Sequence, residues 1–199
     1  YPKVLEYSSI WMEDITHVTR DGSSTFTLTN TNKLIRSYDG CVGLKTGSTS
    51  LAKFCLSAVA KRDGITLISV VMTAPDYKVR LKDAAAMLNY GFSKCSLYVD
   101  EEPPQLPAVE IKKGVEKEAK VTYKGEFRYL RMDGKSISDV KKELKLPKEA
   151  AAPVKRGEKA GELSYFMDGE EIGTVEILYA ESVRKATYAD CLKAVLGLL

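Results

Sequence analysis

The stretch that decides the fold runs from Gly43 to Thr73. It opens Gly43-Leu44-Lys45-Thr46-Gly47-Ser48-Thr49 and continues Phe54-Cys55-Leu56-Ser57-Ala58-Val59-Ala60-Lys61. It then turns at Arg62-Asp63-Gly64 and ends Ile65-Thr66-Leu67-Ile68-Ser69-Val70-Val71-Met72-Thr73. The two long runs are strand-length, apolar and rich in β-formers. Asp-Gly between them is a hairpin signal, because glycine accepts the positive φ that a tight turn demands. Both runs are nearly continuous in hydrophobicity, the pattern of central strands covered on both faces. After Ala74-Pro75-Asp76 the period changes. Leu81, Ala84/Ala85, Leu88 and Phe92 recur as one apolar helix face, with Gly91 near its end. Strands followed by a helix in one segment predict helices packed on an antiparallel sheet.

Beyond this stretch the texture shifts. The acidic, proline-paired run Asp100-Glu101-Glu102-Pro103-Pro104 suits a domain boundary. Short alternating segments follow at Val109–Lys112, Ala119–Tyr123, Phe127–Met132, Glu162–Phe166 and Thr174–Leu178. Glycine turns such as Asp133-Gly134 and Asp168-Gly169 punctuate them, and they predict a small all-β sandwich or barrel. Lys141–Leu146 is read as a short helical insert. The last stretch, Glu181–Leu199, returns to helical period, with Tyr188, Leu192, Val195 and Leu199 on one face and Arg184, Lys185 and Lys193 as polar neighbours. It suits either a helix lying on a membrane surface or one packed on its own domain. The expected organisation is an α+β helix-on-sheet region over 1–96, a β-rich domain over 97–181 and an amphipathic helix over 182–199.

Composition narrows the function. The 199 residues carry 30 Lys and Arg against 27 Asp and Glu, a net charge of +3 that is spread along the chain. That leaves no electrostatic footprint for nucleic acid. A single histidine, His17, argues against histidine-based metal sites and a Ser–His–Asp triad. Cys41, Cys55, Cys95 and Cys191 form no C-x-x-C pair and are read as small buried or half-buried hydrophobes, with a disulfide between distant positions as the alternative. No apolar run is long enough for a transmembrane helix, and no cofactor is implied.

Lys45-Thr46-Gly47 is the tripeptide with the most chemistry in it. A lysine offers fixed positive charge, a threonine hydroxyl can bond a substrate carboxylate, and glycine lets a substrate backbone lie close to a strand. The same tripeptide occurs in penicillin-binding proteins and class A β-lactamases, beside S-x-x-K and S-D-N. Alone it is a weak signal. The blocks around it are far more specific: Leu28-Thr29-Asn30-Thr31-Asn32-Lys33-Leu34, Gly43 to Thr49, Ala60 to Gly64, Arg80, and Leu88-Asn89-Tyr90-Gly91-Phe92. Their order closely resembles the second half of the peptidase domain of low-molecular-weight penicillin-binding proteins, the serine-type D-alanyl-D-alanine carboxypeptidases. Ala152-Pro153-Val154-Lys155-Arg156-Gly157-Glu158 and Gly161 resemble that family's C-terminal β domain, so the likeness covers most of the chain.

The resemblance implies a transpeptidase-like fold and a division of labour on this sequence. Lys45 matches the motif lysine that supports proton transfer. Thr46 matches the hydroxyl that binds the terminal carboxylate, Gly47 the residue that admits the D-Ala backbone, and the Ser48 N–H an oxyanion-hole donor. Arg80 resembles the arginine that helps hold the carboxylate, a task its planar fork suits. The implied partners are a peptidoglycan stem peptide ending in D-Ala-D-Ala, β-lactams, the N-terminal half of the same protein, and the outer face of the cytoplasmic membrane through the terminal helix.

The departures are as informative. The family's S-x-x-K nucleophile motif and its S-x-N motif precede K-T-G, and neither stands before Lys45 here. Ser50…Lys53, Ser138…Lys141 and Ser182…Lys185 have the S-x-x-K spacing but all follow Lys45, the wrong order, and about that many arise by chance. Where the family usually carries glycine after alanine, this chain has Ala52-Lys53. An acyl-enzyme needs its serine and base within hydrogen-bond reach. These residues are therefore expected to be a fragment of a longer enzyme, inactive alone and hard to fold without its other half. The rival readings are a non-catalytic D-Ala-D-Ala-binding module and a class A-like β-lactamase.

Overall fold

The Asp63-Gly64 turn forms as its chemistry requires, and the first half of the molecule is built around it. The computed structural model describes Tyr1 and residues 3–197; Pro2, Leu198 and Leu199, the last of them expected on the terminal helix face, lie outside the described residues. The elements of this half are α1 (Val4–Ser8), β1 (Met12–Thr19), β2 (Gly22–Thr29), α2 (Leu34–Ser37), β3 (Cys41–Thr49), β4 (Lys53–Arg62), β5 (Ile65–Ala74) and α3 (Tyr77–Lys94). Asp63 and Gly64 adopt φ of 48° and 75°, the left-handed pair of a two-residue hairpin between β4 and β5.

Strands β3, β4 and β5 form one antiparallel sheet in that order. Its inner face packs on α3. Asp76 caps the helix by accepting from the N–H groups of Lys78 and Val79. Leu56, Ala58, Ala60 and Val71 from the sheet meet Ala84 and Leu88 from α3, with Leu81, Ala85 and Phe92 packed at the margin, which is the expected helix face. Only β4 is central, however. β5 lies at the sheet edge, and Ile68, Val70 and Met72 on its other face are exposed by 66%, 55% and 74%. The continuous apolar run thus describes two faces of which this chain covers one. β1 and β2 pair over their whole length as a separate hairpin, with every residue exposed.

The remaining strands are β6 (Ser96–Val99), β7 (Val109–Lys112), β8 (Glu118–Ala119), β9 (Val121–Tyr123), β10 (Arg128–Arg131), β11 (Lys141–Lys145), β12 (Glu149–Ala151), β13 (Lys159–Met167) and β14 (Glu170–Tyr179), and α4 (Tyr188–Val195) follows. The chain divides into two units, Tyr1–Leu97 with Arg131–Lys135 and Tyr98–Leu130 with Ser136–Leu199. In the second, a sheet ordered β11-β13-β14-β9 and another ordered β12-β7-β8 accompany a core of Val109, Ile111, Ala119, Val154, Tyr179 and Val183, so the fold is α+β with a β-rich second unit that ends in α4. Lys141–Leu146 is not helical: Lys141–Lys145 is an edge strand paired with β13, because ladder bonds to Glu162–Phe166 outweigh local helix propensity.

Asp100 is also no solvated linker residue. It is 6% exposed, accepts a 2.9 Å bond from the Tyr165 hydroxyl, and pairs with the Lys142 ammonium at 2.5 Å. Burial, and then the Asp100 carboxylate, push the Tyr165 phenol well above its ordinary value. Phe127 stacks on Tyr165 with centroids 3.7 Å apart.

The four cysteines are free thiols; Cys41 is buried and Cys55 and Cys95 half-buried, but Cys191 on α4 is exposed, because that helix buries no side chain. A capping box between Thr187 and Asp190 starts α4, and Arg184 grips the Asp190 carboxylate through two bonds of 2.6 and 2.9 Å. That grip, ahead of the Thr187 bonds, holds the Asp190 carboxyl well below its ordinary range.

Two stability measurements test this architecture. Leu163, fully buried on β13, should cost about 2–5 kcal/mol in urea unfolding when changed to alanine. Lys53, which follows Ala52, holds φ at 50°, a conformation that favours glycine. Lys53→Gly should therefore raise stability by roughly 0.5–1 kcal/mol, the relief of left-handed strain less the entropy of a freer unfolded chain.

Candidate active site

Position in the sheet makes the Lys45-Thr46-Gly47-Ser48 run available. β3 is an edge strand, with β4 on one side and its other edge open to an added strand. Such an edge can bind an extended peptide by main-chain hydrogen bonds. A Cβ built on Gly47 meets nothing within 4 Å, so glycine here leaves free space beside the strand. Ser48 and Lys45 are both exposed. The Lys45 ammonium donates to the Thr46 carbonyl at 2.6 Å.

Helix α3 contributes Arg80, which is only 7% exposed. Its Nη1 donates to the carbonyls of Gly47 at 3.3 Å and Cys55 at 3.2 Å, and its guanidinium lies 5.6 Å from the Phe54 ring centroid. The sequence placed Arg80 in the site as a carboxylate ligand. In the fold it sits behind the strand, bonded to the backbone that carries the motif, and its Nε is buried without a partner. The structure thus brings all five expected residues together: four in sequence on β3 and the fifth beneath them.

Three further residues assigned no role from sequence complete the wall. Asn30 donates from Nδ2 to the carbonyls of Ser8 at 3.0 Å and Ile10 at 2.9 Å, and its Oδ1 accepts from the Asn32 N–H at 2.9 Å. Asn32, 1% exposed, donates to the Gly43 carbonyl at 3.0 Å and accepts from the Leu34 N–H at 3.2 Å. Between them, Thr31 Oγ1 lies 2.6 Å from Thr46 Oγ1. The signal in the sequence was Asn-Thr-Asn, a pattern of local side-chain-to-backbone bonding, and each amide oxygen does accept from the N–H two residues on, but the amide nitrogens reach carbonyls 11 to 22 residues away. Ser8 donates to the Val42 carbonyl at 3.1 Å, and a side chain at Gly43, whose φ is 156°, would strike the Ser8 hydroxyl. Tyr7, Ser8, Asn30, Thr31, Lys45 and Thr46 line a cleft of about 610 Å³.

The chemistry of this wall is carboxylate and backbone recognition. It holds fixed positive charge, a hydroxyl donor, and a strand edge with exposed amides. Ser50 lies in the connection between β3 and β4 and Lys53 opens β4, and neither lines this cleft, so they offer it no nucleophile dyad. Among the described residues no group of three His, Cys, Asp or Glu side chains could hold a metal ion.

Comparison with known proteins agrees along the chain. Residues 3–76 match the D-alanyl-D-alanine carboxypeptidase family, and residues 92–185 match the C-terminal domain of penicillin-binding protein 5. The chain is 35% identical over 173 residues to the D-alanyl-D-alanine carboxypeptidase DacF of Bacillus subtilis, covering 86% of this chain and 44% of that protein. It is 44% identical over 78 residues to a D-alanyl-D-alanine carboxypeptidase of Streptomyces, covering 38% of this chain and 27% of the relative. It thus spans less than half the length of these relatives. Penicillin-binding protein 5 from Haemophilus influenzae has a solved structure similar over 92% of this chain and 52% of its own, with a TM-score of 0.66 and 26% identity. The matches over residues 3–76 and 92–185, taken with these relatives, place the chain in one family: it belongs to the low-molecular-weight penicillin-binding proteins of D-alanyl-D-alanine carboxypeptidase type.

Proposed function

We propose that this chain supplies the substrate-carboxylate side of a serine-type D-alanyl-D-alanine carboxypeptidase. The parent enzyme removes the terminal D-alanine from peptidoglycan stem peptides through an acyl-enzyme, with its nucleophile on sequence outside these 199 residues. The observation that carries this reading is the open edge of β3, where Lys45, Thr46 and Ser48 flank a glycine with free space beside it. The D-Ala-D-Ala backbone lies antiparallel or parallel along that edge. The Thr46 hydroxyl donates to the terminal carboxylate, the Ser48 N–H to the developing oxyanion, and Lys45 supplies charge and a proton path. Arg80 helps hold the carboxylate through its charge, from a site where burial weakens screening by water. Penicillins, which carry a carboxylate beside a strained amide, occupy the same wall.

The exposed apolar face of β5, with its unpaired edge, supports docking against the enzyme's other half, since bare strand edges of this kind ordinarily find a partner. The reading also places the protein outside the cytoplasmic membrane, held on its outer face. Among the described residues no helix is long and apolar enough to cross a bilayer. α4 instead exposes Tyr188, Leu192, Val195 and Leu196 beside Lys185 and Lys193, the character of a surface-lying helix.

Two measurements test this. In the full-length protein, Thr46→Val should lower kcat/KM for D-alanine release from an acylated lysyl-D-Ala-D-Ala peptide by roughly tenfold or more, the loss of a hydrogen bond to a charged group. Unchanged turnover overturns the assignment. Deleting 184–199 should release the protein from anionic vesicles in a sedimentation assay; undiminished binding refutes the surface helix.

A further inference from the structure

We propose that Thr31 is a positioning residue, which donates its hydroxyl proton to Thr46 Oγ1 and so turns the Thr46 O–H toward the substrate carboxylate. The inference rests on the carboxypeptidase reading above and extends it to a residue on a different segment of the chain. A carboxylate only accepts hydrogen bonds, and a threonine hydroxyl has one proton to give and two lone pairs to receive. Once Thr46 commits its proton to the substrate, its oxygen needs a donor of its own. The neighbouring Lys45 ammonium is turned to the Thr46 main-chain carbonyl. The hydroxyl 2.6 Å away belongs to Thr31.

Without substrate either hydroxyl can donate in that pair. With a carboxylate on the far side of Thr46, one direction alone satisfies all three groups: Thr31 to Thr46 to carboxylate. Bonds in such a chain polarise one another, so Thr46 becomes a stronger donor when Thr31 donates to it. The direction is fixed at a place the fold has made rigid. Asn30 ties the segment before Thr31 to the Ser8 and Ile10 carbonyls, and Asn32 ties the segment after it to the carbonyl of Gly43, three residues before Thr46 on the same strand. Threonine's β-branch further restricts its rotamer. Thr31 and Thr46 both line the cleft, so the pair stands where a ligand would meet it.

The test is a double-mutant cycle in the full-length protein, reading D-alanine release from an acylated lysyl-D-Ala-D-Ala peptide. Thr31→Val should lower kcat/KM roughly three- to tenfold, one neutral hydrogen bond's worth. Thr31→Ser should restore it. In a Thr46→Val background, Thr31→Val should cause no further loss, because Thr31 acts only through the hydroxyl already removed. Losses that multiply in the double variant, or a serine that fails to rescue, overturn the inference and leave Thr31 a packing residue. If Thr31→Val does not fold, Thr31→Ala carries the same expectations. A wild-type protein that releases no D-alanine, or a Thr46→Val variant with full activity, instead removes the carboxypeptidase reading on which this one stands.

Discussion

A buried amide holds the site in place. Asn32 is almost wholly removed from water, and both ends of its side chain are used: the nitrogen on the carbonyl of Gly43, the oxygen on the N–H of Leu34. A buried amide with either bond broken costs a desolvation penalty of about 1–3 kcal/mol, so the alternatives are strongly disfavoured. That one side chain fixes the start of β3 against the start of α2. Everything the motif strand offers to a ligand is measured from this contact. Asn30 repeats the device toward Ser8 and Ile10, and α1 closes on the strand through the Ser8 hydroxyl. β4 holds one side of β3, and on the other side, where no strand pairs, side-chain amides brace it.

Arg80 does the complementary work from below. Its guanidinium joins Gly47 on β3 to Cys55 on β4, two residues that face each other in the ladder. The same group is therefore structural glue and a source of positive potential under the motif. A buried cation is tolerated when backbone carbonyls solvate it. Asp100 plays the mirror role in the β-rich unit, where an ammonium and a phenol satisfy a buried carboxylate.

Sequence showed those parts of the molecule whose determinants are local. The Asp63-Gly64 hairpin, the α3 apolar face and most strands of the second unit follow from turn chemistry and periodicity, and the structure has them. Lys141–Lys145 misled because a lysine-rich pentapeptide has helix propensity, while its partners on β13 lie far along the chain, from Glu162 to Phe166. Ile68, Val70 and Met72 read as core because an apolar pattern says that a face wants cover without saying what supplies it. The hairpin β1–β2 went unread although Asp21-Gly22 and the alternation Thr25-Phe26-Thr27-Leu28-Thr29 signal it; its strands lie fully exposed. In the site, the motif tripeptide was legible as chemistry, but Thr31 was not. A hydroxyl earns a role only by what stands opposite it, and Thr46 is fifteen residues further along the chain.

The attachment of α4 has a mechanical meaning. The chain enters the helix from residues 182–186, which are laced on one side to Val154 and on the other to Gly114, with further bonds from Ala186 to Lys113 and from Val115 to Arg184. The Arg184–Asp190 clamp spans the junction itself. A pull on the helix is therefore not taken by a slack tether. It is carried into the β-rich unit by several hydrogen bonds at once, as a seam stitched on both sides spreads a load. Thermal tugging at the helix would be resisted collectively, and the first thing to yield would be the ion-pair clamp rather than the strand behind it.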